Sequence, residues 1–128
     1  MSIPADLSYT AEHEWVANPL GPLARVGVTA HAAQALGDVV YLDLPEAGAR
    51  VLAGEAVGEI ESTKSVSDLY APVTGVIEEV NQAVLDQPEL VNQDPYGVGW
   101  LFLVRTSAPA SADLLDAEAY GDLPDVGQ

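Results

Sequence analysis

The sequence predicts one mainly-β domain, a small sandwich or barrel with helices only at its margins. Three observations carry that expectation. Short runs rich in Val, Ile and Leu recur at roughly 8–12-residue spacing, each bounded by Gly, Pro, Asn or Asp. A chain of 128 residues is one ordinary domain, long enough to bury a core and too short for two. Apolar residues make up 48% and charged residues 19% of it, a globular composition rather than a disordered one.

The elements follow in order. "LARVGVT" (23–29) alternates and is rich in valine, as a strand should be. In "TAHAAQALG", Thr29 can cap a short helix, Ala33 and Leu36 form its apolar stripe, and Gly37 suits a left-handed stop. "DVVYLDLP" (38–45) reads as a strand with Val40, Leu42 and Leu44 on one face and Val39, Tyr41 and Asp43 on the other. "PEAG" turns with Pro45 at its corner. "RVLAGEAVGEIES" (50–62) holds two strands broken near Ala53-Gly54, and "TGVIEEVN" (74–81) holds another. "DPYG" (94–97) has the composition of a type I turn, and "GWLFLVRT" (99–106) is a nearly continuous apolar strand. Ser111 and Asp113 start a terminal helix over "ADLLDAEAY", and the tail 121–128 is expected to fray. A short echo, "GEIES" and "GVIEE", brackets the middle of the chain, as in a two-fold sandwich.

Composition excludes several functions. The chain has no cysteine, so it can form no disulfide, thiolate metal site or thiol nucleophile. Two histidines, His13 and His31, without cysteines do not predict a metal site. A formal net charge of -16 repels phosphate backbones and anionic lipids, which argues against nucleic-acid and membrane partners. The same acidity serves either solubility or docking onto basic protein surfaces. The N-terminus lacks a basic region followed by an apolar stretch, and no run reaches the ~18 apolar residues of a membrane span. A bacterial cytoplasmic setting is expected.

"GEIESTKSVSDLYAPVTG" (58–75) contains the only lysine of the chain. Gly58, Ile60 and Ser62 share one face of the entering strand, and Val57, Glu59 and Glu61 share the other. Apolar character stops at Ile60 and resumes at Val66. "ESTKS" is therefore expected at an exposed hairpin tip, with the Lys64 amine free in solvent. Such an amine is either an ordinary solvated lysine or one presented to a modifying enzyme by rigid strands. An amine that acts as a Schiff-base nucleophile would instead be buried. Glu12 and Glu14, two apart on one strand, would lie side by side rather than flank a scissile bond.

"ESTKSVSDLYAPVTG" resembles the lipoyl-attachment segment of the glycine cleavage H-protein family, E-S-V-K-x-x-S-D-x-Y-A-P-x-S-G. Glu61, Ser62, Lys64, Ser67, Asp68, Tyr70, Ala71, Pro72 and Gly75 match in register. "HEW" (13–15), "GDVVYLDLPEAG" (37–48), "LVNQDPYGVGWLF" (90–102) and "LLDAEAY" (114–120) stand in the family's order, so the resemblance spans nearly the whole chain. Biotinyl domains fit less well, because methionines are expected beside their lysine and this chain has none beyond Met1. "NPLGPL" (18–23), Thr63, Ser65 and Val98 depart from the usual pattern.

The resemblance implies a barrel-sandwich hybrid of the lipoyl/biotinyl-carrier kind, with short peripheral helices and a C-terminal helix, over a single domain, 1–128. It implies lipoate joined covalently to Lys64, with Glu61, Ser62 and Gly75 supporting the attachment motif. Glu14 and Asp68 would contact an aminomethyl cargo through its ammonium. Either could instead be plain: Glu14 a solvated acid, Asp68 a turn residue bonding nearby backbone. The implied role is a non-catalytic carrier of aminomethyl groups and reducing equivalents. Its partners would be a pyridoxal-phosphate glycine decarboxylase, a tetrahydrofolate-dependent aminomethyltransferase, dihydrolipoamide dehydrogenase and a lipoate-attaching enzyme. A lipoyl or octanoyl relay to other proteins would use the same lysine.

Overall fold

The computed structural model describes residues 3–19, 21–107 and 114–124. In chain order its elements are β1 (Ser8–Tyr9), β2 (Glu14–Ala17), β3 (Leu23–Val28), α1 (Ala30–Leu36), β4 (Val39–Asp43), β5 (Arg50–Val51) and β6 (Ala56–Ser62). There follow β7 (Val66–Tyr70), β8 (Gly75–Val80), α2 (Gln82–Asp86), α3 (Leu90–Gln93), β9 (Phe102–Thr106) and α4 (Ala117–Gly121). Two antiparallel sheets result, one of six strands in the order β1-β2-β3-β9-β8-β5 and one of three in the order β4-β6-β7.

Alternation along the strands sends one apolar set inward from each sheet. Val26, Ile77 and Val104 of the larger sheet meet Leu42, Ile60 and Leu69 of the smaller in one buried core, closed by Leu36 of α1 and Val84 of α2. The two halves of the "GEIES"/"GVIEE" echo fall in different sheets, with Ile60 and Ile77 both in that core. A second, aromatic cluster gathers Tyr9, Trp15 and Tyr120 with Leu115 and Leu123, which seats α4 against β1 and β2. Tyr9 and Tyr120 stack with centroids 4.7 Å apart, and the Trp15 indole N–H donates to the Pro95 carbonyl at 2.9 Å.

Thr29 caps α1 by accepting from the Ala32 amide at 3.1 Å, Ala33 and Leu36 are its buried residues, and Gly37 ends it at φ 81. Gly97 N–H closes the "DPYG" turn on Asp94 at 3.1 Å. Elsewhere local pattern misleads. The expected two-faced alternation of 38–45 is broken by a bulge between Val39 and Tyr41, so that Val39 and Leu42 are buried while Val40 and Tyr41 are exposed. The turn after β4 is Glu46–Ala49, closed by Ala49 N–H on Glu46, so Pro45 precedes it rather than forming its corner. β9 starts at Phe102 and not at Gly99, because Gly99 and Trp100 donate their amides back to Asp94 and Gly97.

Two further short helices, α2 and α3, lie between β8 and β9. α2 and α3, of five and four residues, are too short for a helical period to show, and β1 and β2 carry no clean alternation. α4 begins later than expected, capped by the Asp116 carboxylate on Ala119 N–H at 2.8 Å. Leu115 is held extended by its backbone bonds with Tyr9, so no helix can include it. Ser111 and Asp113 lie outside the described residues, as do 125–128 of the tail.

Trp15 stands opposite Gly27 across the β2–β3 ladder, and a β-carbon at Gly27 would lie 2.5 Å from Trp15 Cε2. The indole can lie flat on the sheet only because that strand position is bare. Gly27→Ala is expected to lower unfolding free energy by about 1–3 kcal/mol through overpacking, measured by urea unfolding followed through tryptophan fluorescence.

Candidate functional site

The β6–β7 hairpin reverses between Glu61 and Val66, which face each other across the ladder. Ser62 N–H donates to the Ser65 carbonyl at 2.8 Å, closing a tight turn with Thr63 and Lys64 at its centre. Ser62 is buried, and its hydroxyl holds the turn from beneath. The Oγ accepts from the amides of Lys64 at 3.3 Å and Ser65 at 3.1 Å, and donates to the Ser65 carbonyl at 3.2 Å. The expected exposed interval "ESTKS" is thus exposed except at Ser62, which is turned inward to brace it.

Thr63 N–H donates to the Asp38 carbonyl at 3.0 Å, tying the tip to the root of β4. Lys64 is exposed, and among the described residues it makes no ion pair. Its stem lies across Gly37, where an added β-carbon would come within 3.2 Å of Lys64 Cε. The amine is presented outward on a supported arm.

The outer face of the three-stranded sheet is acidic and partly apolar. Asp43, Glu59 and Asp68 form one cross-strand row, and Tyr41, Glu61 and Val66 the next, all exposed. Val66 and Tyr41 are each 57% exposed. Like charges directly opposite one another cost stability, and neither row contains a cation. The three arginines, Arg25, Arg50 and Arg105, all belong to the six-stranded sheet, which leaves Lys64 as the basic side chain of the hairpin side.

Beside the tip lies a cleft of about 200 Å³, bordered by α1 and the β6–β7 hairpin. Glu12, His13, Glu14, Ser65, Ser67 and Asp68 contribute its polar lining, and residues such as Ala35 and Leu36 its apolar side. The structure therefore brings Glu14 and Asp68, distant in sequence, to one cavity. Glu14 is 2% exposed, which rules out the solvated-acid alternative. Its Oε1 accepts from the Thr10 hydroxyl at 2.7 Å, and its Oε2 from the Tyr70 backbone amide at 3.1 Å. Because Tyr70 ends β7 and Glu14 begins β2, this carboxyl joins the two sheets. Burial pushes its pKa up from 4.5 to about 7, although the Thr10 and Tyr70 bonds pull the other way and the Glu12 charge adds a little to the rise.

Asp68 lies on β7, exposed at the cleft rim, and is not a turn residue. Glu12 sits in the turn before β2 and is exposed, so the side-by-side strand arrangement with Glu14 does not occur. His13 separates them at φ 72, and its Nδ1 is 2.8 Å from the Tyr120 hydroxyl. Glu61 occupies the outer face of β6. Gly75 starts β8 in the other sheet, where a β-carbon would collide with the Arg105 carbonyl. The clamping roles of Thr10 and the Asp38 carbonyl carried no sequence signal, because they depend on partners that only the fold brings near.

A family model described as glycine cleavage H-protein matches residues 7–124. The glycine cleavage system H protein of Beutenbergia cavernae is 61% identical over 123 residues, spanning 96% of this chain and 97% of that protein. That of Thermobifida fusca is 59% identical over 123 residues, with 96% of each chain spanned. The crystal structure of a glycine cleavage system H protein from Mycobacterium marinum superposes with a TM-score of 0.86 at 50% identity, covering 93% of this chain and 96% of that one.

The raised pKa of Glu14 fixes the sign of a pH effect. Between its ordinary 4.5 and about 7 the folded chain holds this proton and the unfolded chain does not, so the contribution is full below 4.5 and is lost as pH rises through 7. Glu14→Gln removes it. Native minus variant unfolding free energy is expected to fall by on the order of 3 kcal/mol from pH 4.5 to 8, measured by urea titration at each pH.

Proposed function

The chain belongs to the glycine cleavage H-protein family, and we propose that within it this protein is the lipoyl carrier, with lipoate joined as an amide to Lys64. The observation that carries the reading is the hairpin tip: the sole lysine of the chain, exposed, outside any ion pair among the described residues, on a turn braced by Ser62 and tied to Asp38. Acylation there removes one cation from an already acidic molecule and disturbs no packed contact beyond the stem on Gly37. Bound, the lipoyl group supplies a dithiolane, the disulfide exchange chemistry that a chain without cysteine lacks.

The residues around the tip suit an amine-bearing cargo. Burial raises the pKa of Glu14 to about 7, so near neutral pH the carboxyl can hold its proton and avoid much of the cost of a buried charge. An ammonium group entering beside it would lower its pKa, drive off the proton from the carboxyl and form a charge-assisted hydrogen bond with the resulting carboxylate. Asp68 at the rim offers a second, exposed carboxylate. Together they would shelter an aminomethyl cargo from water between enzymes.

The partners in this reading are the pyridoxal-phosphate glycine decarboxylase, the tetrahydrofolate-dependent aminomethyltransferase, dihydrolipoamide dehydrogenase and the lipoate-attaching enzyme. The carrier performs no complete reaction and is a substrate for each. Intact mass after incubation with a lipoate-attaching enzyme tests the reading. One added lipoyl group is expected on the native chain and none on Lys64→Arg; an unchanged native mass overturns it.

A further inference from the structure

We propose that Asn92 is a positioning residue for Lys64, an inference that rests on the reading of Lys64 as the modified side chain. Asn92 belongs to α3, a four-residue helix remote in sequence from the tip. Its carboxamide makes three hydrogen bonds. Oδ1 accepts from the Val39 amide at 2.9 Å, while Nδ2 donates to the Gly37 carbonyl at 2.7 Å and to the Ala33 carbonyl at 3.2 Å. Gly37 and Val39 flank a single residue, Asp38.

That residue and its neighbour are the two points on which the lysine turn rests. The Asp38 carbonyl receives Thr63 N–H, and Gly37 is the bed of the Lys64 stem. A glycine at φ 81 is the backbone position with the widest freedom to move. The carboxamide removes that freedom by gripping the chain on both sides of Asp38. Termination of α1 does not by itself require Asn92, since Gly37 N–H already returns to the Ala33 carbonyl at 3.2 Å. What the side chain adds is the fixed path from α1 into β4, and through Thr63 the pose of the tip.

An enzyme that acylates Lys64 must meet the tip in one pose. If the junction loosens, the presented fraction falls and the apparent KM for the carrier rises in proportion, with kcat preserved. Unacylated full-length chain, carrying Asn92→Ala, Asn92→Asp or Val104→Ala, is the material for the test. Val104→Ala thins the core within the other sheet and serves as a control for general destabilisation. The readouts are lipoate-attachment kinetics and hydrogen exchange at the Thr63 amide.

Asn92→Ala is expected to raise KM about five- to tenfold with kcat within roughly twofold, and to speed Thr63 exchange by at least about tenfold. Asn92→Asp keeps the acceptor for Val39 but turns an oxygen toward two carbonyls, and should do at least as much. Val104→Ala should do neither. Native KM and slow Thr63 exchange in both Asn92 variants, or an equal KM rise in Val104→Ala, overturns the proposal. If the native chain accepts no lipoate, the reading of Lys64 fails, and Thr63 exchange alone still decides for or against the role of Asn92.

Discussion

The carboxyl of Glu14, nearly sealed from water, is the link on which the site depends. It starts a strand of the larger sheet and receives the backbone amide that ends β7 of the smaller one. A buried acid left unpaired would cost more than it gave. Here both oxygens are occupied by donors, and the group is free to stay neutral because its proton is held until about pH 7. The same atoms that close the seam between sheets also form a wall of the cleft. Seam and cleft therefore meet on one side chain, and neither sheet alone could build that wall.

Charge is sorted by sheet in a way that composition does not reveal. A chain with twenty acids and four bases could have scattered its cations as solvated partners. Instead the arginines decorate the larger sheet, one of them paired with Glu78 at 2.6 Å, another lying over Trp100 at 5.4 Å. The smaller sheet keeps rows of uncompensated carboxylates interrupted by Tyr41 and Val66. Such a face repels itself mildly and attracts a basic surface strongly, with two apolar side chains to fix its register. These rows lie on the sheet whose hairpin carries Lys64.

Legibility in the sequence followed the range of the forces involved. Helix α1 was readable because its cap, stripe and stop are local: Thr29, Ala33 with Leu36, and Gly37. The exposed tip was readable from the gap in apolar residues between Ile60 and Val66. The bulge in β4 was not, because Val40 is apolar and only the register against β6 turns it outward. "HEW" reads as two polar residues and an aromatic, yet its glutamate is among the most buried side chains of the molecule. The reason lies at Thr10 and Tyr70, and no spacing rule relates those positions. α2 and α3 escaped because a helix of one turn leaves no period. The family resemblance named Glu14 and Asp68 as cleft residues, whereas physics applied to the sequence could only leave them open.

The order of the larger sheet bears on how the chain is made. Its middle seam joins β3 to β9, Leu23 against Arg105, while the hairpin that carries the lysine pairs strands adjacent in the chain. On a ribosome the lysine hairpin can close soon after it emerges, but the N-terminal meander must wait with an unpaired strand edge until β9 has emerged. Until then the growing chain carries an unpaired strand border. The abundance of carboxylates along the chain gives those unfinished molecules mutual repulsion while they wait.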